Sequence, residues 1–278
     1  MREISVNEIT AAVRNLAISA NTDLGQDVVD AFHGALEHET SPAGKNVLER
    51  LIENAEIARN EKIPICQDTG MAVVFVEIGQ DIHVTGGSLE DAINEGVRQG
   101  YKDGFLRKSV SDPITRENTG DNTPAVIHYE ILPGDRFKLL LAPKGFGAEN
   151  MSRVTMLAPS AGIDGIKAFV VNRVKAAGPN PCPPTIVGVG IGGTLERAAL
   201  LSKKALMRPL GSQNPDPKLN TLETEWLEEI NRLGIGPQVG GRTTSLGVHI
   251  NTFPCHIASI SLAVNLQCHA SRHKEIAL

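Results

Sequence analysis

Four cysteines, at positions 66, 182, 255 and 268, are the residues of this chain with the most chemical range. None belongs to a Cys-x-x-Cys pair. Cys66, Cys182 and Cys268 are 116 and 86 residues apart, which gives no local metal signature, so only the tertiary fold can bring these thiols together. Four scattered thiols are also too few for a secreted disulfide framework. On type and spacing alone, inert buried thiols are the simplest account. Their neighbours say more. Cys66 stands in Ile65-Cys66-Gln67-Asp68-Thr69-Gly70, where a turn would project polar side chains together. Cys182 stands in Pro179-Asn180-Pro181-Cys182-Pro183-Pro184, a rigid segment that lacks several backbone donors. Cys268 precedes His269-Ala270-Ser271-Arg272-His273.

Other segments could also carry chemistry. Residues 116–124 pack Arg116, Glu117, Asn118, Asp121 and Asn122 into one loop, and Lys144-Gly145-Phe146-Gly147 puts a cation beside two glycines. A solvated loop is the ordinary reading, whereas glycine amides with a basic side chain can grip a carboxylate. Arg107 reads as a surface cation. His256, after Pro254-Cys255, reads as an ordinary partly buried histidine unless it carries a proton. Gly188-Val189-Gly190-Ile191-Gly192-Gly193 satisfies a dinucleotide fingerprint on paper. The acidic residue and second strand expected about 20 positions on are missing, the region reading Arg208-Pro209-Leu210-Gly211-Ser212. The segment is therefore read as a glycine-lined strand-to-helix turn packed against another backbone, with a small anion at the helix start left open.

The elements that must position these groups follow from apolar periodicity. Residues 7–61 read as helices, with Ile9, Val13, Leu16 and Ala17 at helical spacing and Pro42 suited to a first turn. Short β-type runs follow at 72–78 and 82–84, then a helix capped by Ser88 and running to about Tyr101. Runs at 125–132 and 137–142 flank Pro133-Gly134-Asp135 and read as an antiparallel hairpin. Beyond Gly147, helical patterns at 162–177, 194–207 and 222–233 alternate with extended ones at 185–189, 246–250 and 257–264. The expectation is an α/β fold: a helical N-terminal segment followed by two mixed α/β subdomains, one domain over 1–278 with a subdomain boundary near 143–147.

Composition narrows the function classes. With 278 residues and 41% hydrophobic content, the chain can bury a core without staples. Ten aromatic residues and a net charge of −5 argue against a nucleic-acid partner. No apolar run approaches the roughly 20 residues of a membrane helix, and no secretory signal is visible, so a cytoplasmic location is expected.

Read together, these motifs resemble the α-subunit, or N-terminal half, of the class I fumarase and tartrate dehydratase family of iron–sulfur hydro-lyases. The resemblance rests on Cys66-Gln67-Asp68-Thr69-Gly70, Asn118-Thr119-Gly120 with Pro124, Lys144-Gly145 with Gly147, Cys182-Pro183-Pro184, Gly192-Gly193-Thr194, Pro254 with His256 and Ser259, and Cys268, in the family's order. It implies a [4Fe-4S] cluster held by Cys66, Cys182 and Cys268. Three thiolates leave one iron open, which suits Lewis-acid chemistry on a substrate hydroxyl. It further implies that Gln67, Asp68, Arg107 and the Gly147 amide contact the dicarboxylate, with Asp68 and His256 as the groups that move or orient a proton. Phe146 replaces a glycine common in the family, and Cys255 is expected to be a bystander. In single-chain relatives a C-terminal domain supplies further cationic residues and a threonine. Here the sequence given stops ten residues after Cys268, so a separate β-subunit is expected to complete the site.

The expected reaction is reversible hydration of fumarate to (S)-malate, with L-tartrate dehydration as the alternative. Two rivals from other classes remain at this stage: an NAD-dependent oxidoreductase resting on Gly188–Gly193, and a non-catalytic subunit holding zinc through its thiols and His256.

Overall fold

A computed structural model describes the chain from Met1 to Leu278. In order it contains β1 (Arg2–Ser5), α1 (Val6–Thr22), α2 (Gln26–His38), α3 (Pro42–Glu61), β2 (Met71–Gly79), β3 (Ile82–Thr85), α4 (Leu89–Asp103), β4 (Val126–Leu132) and β5 (Phe137–Lys144). There follow α5 (Phe146–Glu149), β6 (Arg153–Leu157), α6 (Gly162–Ala177), β7 (Thr185–Gly193), α7 (Leu195–Ala205), α8 (Pro217–Asn231), β8 (Ser245–Cys255), β9 (Ile260–Gln267) and β10 (Lys274–Ala277). The fold is mixed α/β. The chain divides into two compact units, the first comprising 1–25, 54–146 and 272–278, the second 26–53 and 147–271.

In the first unit, β2 organises a sheet of order β10-β5-β2-β4. Its run of Ala72, Val73, Val74 and Val76 is buried, as a central strand requires. β2 pairs antiparallel with β5 and parallel with β4. The hairpin expected of β4 and β5 does not form: β2 lies between them, because the most apolar strand takes the centre. Helices α1 and α4 cover this sheet, burying Ile9, Val13, Val97 and Tyr101 against Val74, Leu139 and Leu141. Both helices start at serines. Ser5 and Glu8 form a reciprocal capping box on α1, and Ser88 Oγ accepts from the Asp91 amide on α4.

In the second unit, β7 is central in a sheet of order β6-β9-β7-β8, parallel to β8 and antiparallel to β9. Period-two alternation divides its residues. Val187 and Val189 join the apolar cluster of α6 and α8 around Trp226. Gly188 and Gly190 face α7, where an added Cβ would lie 2.1 Å from Ser202 O and 2.0 Å from Ala198 O. Gly188 and Gly190 are thus inside the strand, whereas Gly192 (φ +97°) and Gly193 (φ +67°) end it at the turn into α7. Glu39, buried after α2, accepts from the backbone amides of Thr40, Ser41, Arg242 and Thr243, tying the 240–244 segment to the end of α2. No helix is long and apolar enough to cross a membrane.

Candidate active site

In the first unit the 66–70 segment joins α3 to β2 and turns sharply at Gly70. Gly70 has φ +71°, and a Cβ there would meet the Lys144 backbone at 2.7 Å, so glycine is required. The turn presents the Asp68 carboxylate, half-buried, to two amides. Oδ1 accepts from Gly70 N at 3.0 Å and Oδ2 from Phe146 N at 2.8 Å. Gly145 packs beside Oδ2, where a Cβ would come within 3.2 Å. Each carboxylate oxygen keeps a lone pair for a ligand hydroxyl or a proton.

The segment itself is held from below. Thr69 Oγ1 donates to Arg107 O at 2.8 Å, which fixes the Arg107 backbone while its side chain stays exposed. Tyr101 Oη donates to Thr69 O at 2.7 Å. Burial pushes the Tyr101 phenol well above its ordinary pKa, with the Arg272 cation pulling the other way, so it remains a hydrogen-bond donor. Asn122, buried at φ +65°, donates to Gly70 O and accepts from the Ser109 and Val110 amides. The polar loop 116–124 is exposed apart from such groups, and its buried member is the one that reaches the 66–70 turn. Lys144 is not a loop cation: it ends β5 and is buried.

The second unit holds Cys182, Cys268, His256 and Gly147. Cys182 O accepts from His269 N at 3.2 Å, with His269 Nδ1 3.0 Å away. The peptide after Cys268 therefore lies on Cys182, although 86 residues separate the two cysteines. Cys182 is exposed and has φ +55°, a left-handed conformation that costs a non-glycine residue about 1 kcal/mol and gathers at functional sites. His256, exposed in the turn between β8 and β9, accepts from Ala258 N through Nδ1 at 3.2 Å. Its neutral imidazole therefore carries the proton on Nε2. Gly147 is exposed on the short helix α5.

Cys66, Gln67, Asp68 and Arg107 thus belong to the first unit, with Cys66 Sγ 3.4 Å from Gln67 Oε1. Neither unit by itself gathers three or more His, Cys, Asp or Glu side chains as a metal site. The chemistry of the donors nevertheless suits an iron–sulfur cluster: three soft thiols, none of them buried. Sequence reasoning gave no role to Tyr101, Asn122 or Arg272. Arg272 is buried and donates through Nη2 to Asp68 O. Its signal was present only as a cation four residues after a cysteine of interest.

Comparison with known proteins agrees with the motif order. A family model described as fumarate hydratase matches residues 10–277. A protein assigned as L(+)-tartrate dehydratase subunit alpha in Methanocaldococcus jannaschii is 41% identical over 272 residues, spanning 95% of each chain. L(+)-tartrate dehydratase subunit alpha of Escherichia coli is 35% identical, and that of Shigella sonnei 34% identical, each covering 98% of this chain and 91% of the relative. By match length, identity and motif order, the chain belongs to the fumarate hydratase family.

Proposed function

We propose that this chain is the cluster-bearing α-subunit of a hydro-lyase that reversibly hydrates fumarate to (S)-malate, the whole of 1–278 serving as one functional domain in the cytoplasm. Family membership supports a hydro-lyase. The observation that carries the residue assignment is the seating of Asp68, on which Gly70, Gly145, Phe146 and Arg272 all converge.

Cys66, Cys182 and Cys268 would hold a [4Fe-4S] cluster, which supplies, when bound, a Lewis acid for the substrate hydroxyl. The chain's own residues do the rest. Arg107, exposed on a backbone fixed by Thr69, pairs with a substrate carboxylate. The Gly147 amide donates to the other end, and Gln67 contacts the same diacid. Asp68 accepts or orients a proton at the reacting carbon or the departing hydroxyl, its direction set by the two amides. His256 presents Nε2–H, the donor form, because Nδ1 is engaged by Ala258. A partner β-subunit supplies the remaining cationic contacts, giving an assembly of two α and two β chains. The relatives' names, which carry "subunit alpha", support such a partner.

A second reading, L-tartrate as substrate, is favoured by those same names. Tartrate has one more hydroxyl than malate, and a site that hydrogen-bonds it discriminates strongly against the diacid that lacks it. Steady-state assays of the reconstituted pair on malate, fumarate and L-tartrate decide between them. A larger kcat/KM for L-tartrate would replace the first reading by the second, and inactivity on all three would overturn both. The dinucleotide reading loses its basis, since the fingerprint glycines are packed against α7 and Phe253.

A further inference from the structure

Three carbonyls in succession, those of Asp68, Thr69 and Gly70, are held by three buried side chains, with Tyr101 Oη within hydrogen-bond distance of the last two. Arg272 Nη2 donates to Asp68 O, Tyr101 Oη to Thr69 O, and Asn122 Nδ2 to Gly70 O at 3.1 Å. Arg272 is 2% exposed, and Tyr101 and Asn122 are fully buried. Turn carbonyls ordinarily take water or backbone partners. Three buried side chains committed to one tripeptide therefore need a reason.

Stability does not supply it for Arg272. Its Nε and Nη1 are buried without a partner, and its hydrogen bond goes to a neutral carbonyl rather than to a carboxylate. Burying a cation in this way is costly. What the tripeptide carries is Asp68. Fixing the Asp68 carbonyl fixes the peptide plane that follows it, and fixing the next two carbonyls aims Gly70 N–H back at Oδ1.

We propose that Arg272, Tyr101 and Asn122 are positioning residues that clamp the 68–70 backbone and so set the direction of the Asp68 carboxylate. The role rests on the reading of Asp68 given under Proposed function. A misplacement of about 1 Å at a reacting group costs roughly 100-fold in rate. Removing the clamp therefore acts on turnover more than on substrate affinity, which Arg107 and the partner subunit also support.

The test uses Arg272→Gln, Arg272→Lys and Tyr101→Phe, assayed with the partner subunit, together with amide exchange on the full chain. Arg272→Gln is expected to lower kcat about 100-fold with KM changed less than about threefold. Arg272→Lys should recover roughly tenfold of that loss, and Tyr101→Phe should lower kcat about tenfold. The Gly70 and Phe146 amides, which bond Asp68, should exchange faster in Arg272→Gln while those of β7 keep wild-type rates. Wild-type exchange at Gly70 and Phe146 overturns the clamp, and so does faster exchange with unchanged kcat in an active enzyme. If wild type has no hydro-lyase activity yet these amides loosen in the variant, the reaction assignment fails and the clamp stands. Should Arg272→Gln not fold, Tyr101→Phe carries the same paired readout.

Discussion

Glycine does opposite work in the two units. Along β7, Gly188, Gly190 and Gly192 make room for neighbouring backbone: a Cβ would sit 2.1 Å, 2.0 Å and 1.7 Å from the carbonyl oxygens of Ser202, Ala198 and Phe253. Around Asp68, Gly70 too yields to backbone, that of Lys144 at 2.7 Å, but Gly145 makes room for a polar group. Gly70 closes the turn that returns an amide to Oδ1, and Gly145 leaves space against Oδ2. In both places a motif match says only that a side chain is missing. What the space admits, neighbouring backbone in one case and a carboxylate in the other, decides whether the glycine belongs to packing or to a polar turn.

Substitutions in the two regions should separate along that line. Asp68→Asn places an amide where two N–H donors already point, and removes the proposed proton acceptor. It should lower kcat by roughly 10²–10⁴ with the fold intact by circular dichroism, and a loss under about threefold would remove Asp68 from the chemistry. Gly190→Ala should instead cost stability, about 1–3 kcal/mol or more in chemical denaturation, from overpacking against α7. Activity per folded molecule should be unchanged, so a specific kcat loss there would erase the contrast.

A pH experiment sharpens the packing side. His249, buried on β8 beside Arg208, is pushed down from 6.5 to about 4, chiefly by burial and then by that cation. Between pH 6.5 and 4 the unfolded chain binds a proton that the folded chain refuses, so stability falls as pH falls through this window, by up to about 3 kcal/mol. His249→Gln should flatten that slope in denaturation series, and an unchanged slope would refute the assignment. The smallest effect is expected at Ser88→Ala, which removes the α4 cap for about 1 kcal/mol without altering the Asp68 turn.

The helices were legible because their signals are local. Ser88 caps α4, Pro42 opens α3, and the apolar spacing of Ile9, Val13 and Leu16 marks the buried stripe of α1. Strand partners were not. Nothing local to residues 125–142 tells that β2, more than 50 residues earlier, inserts between β4 and β5, since strand order is settled by competition for the buried centre. β1, β6 and β10 escaped notice as short, mostly exposed edge strands. At the candidate site, the motif residues Cys66, Asp68 and Cys182 stood out through their company. Tyr101 and Arg272 did not, because a role exercised through backbone carbonyls of a distant segment leaves no pattern around the residue itself.

The central claim is that three distant thiols hold one inorganic cluster. It is tested by iron and sulfide analysis of anaerobically purified wild type beside Cys66→Ala, Cys182→Ala, Cys268→Ala and Cys255→Ala. The account predicts a brown wild type and Cys255→Ala with equal iron and sulfide, and colourless protein from the other three. Wild type without iron, or full iron in any of those three, would contradict it.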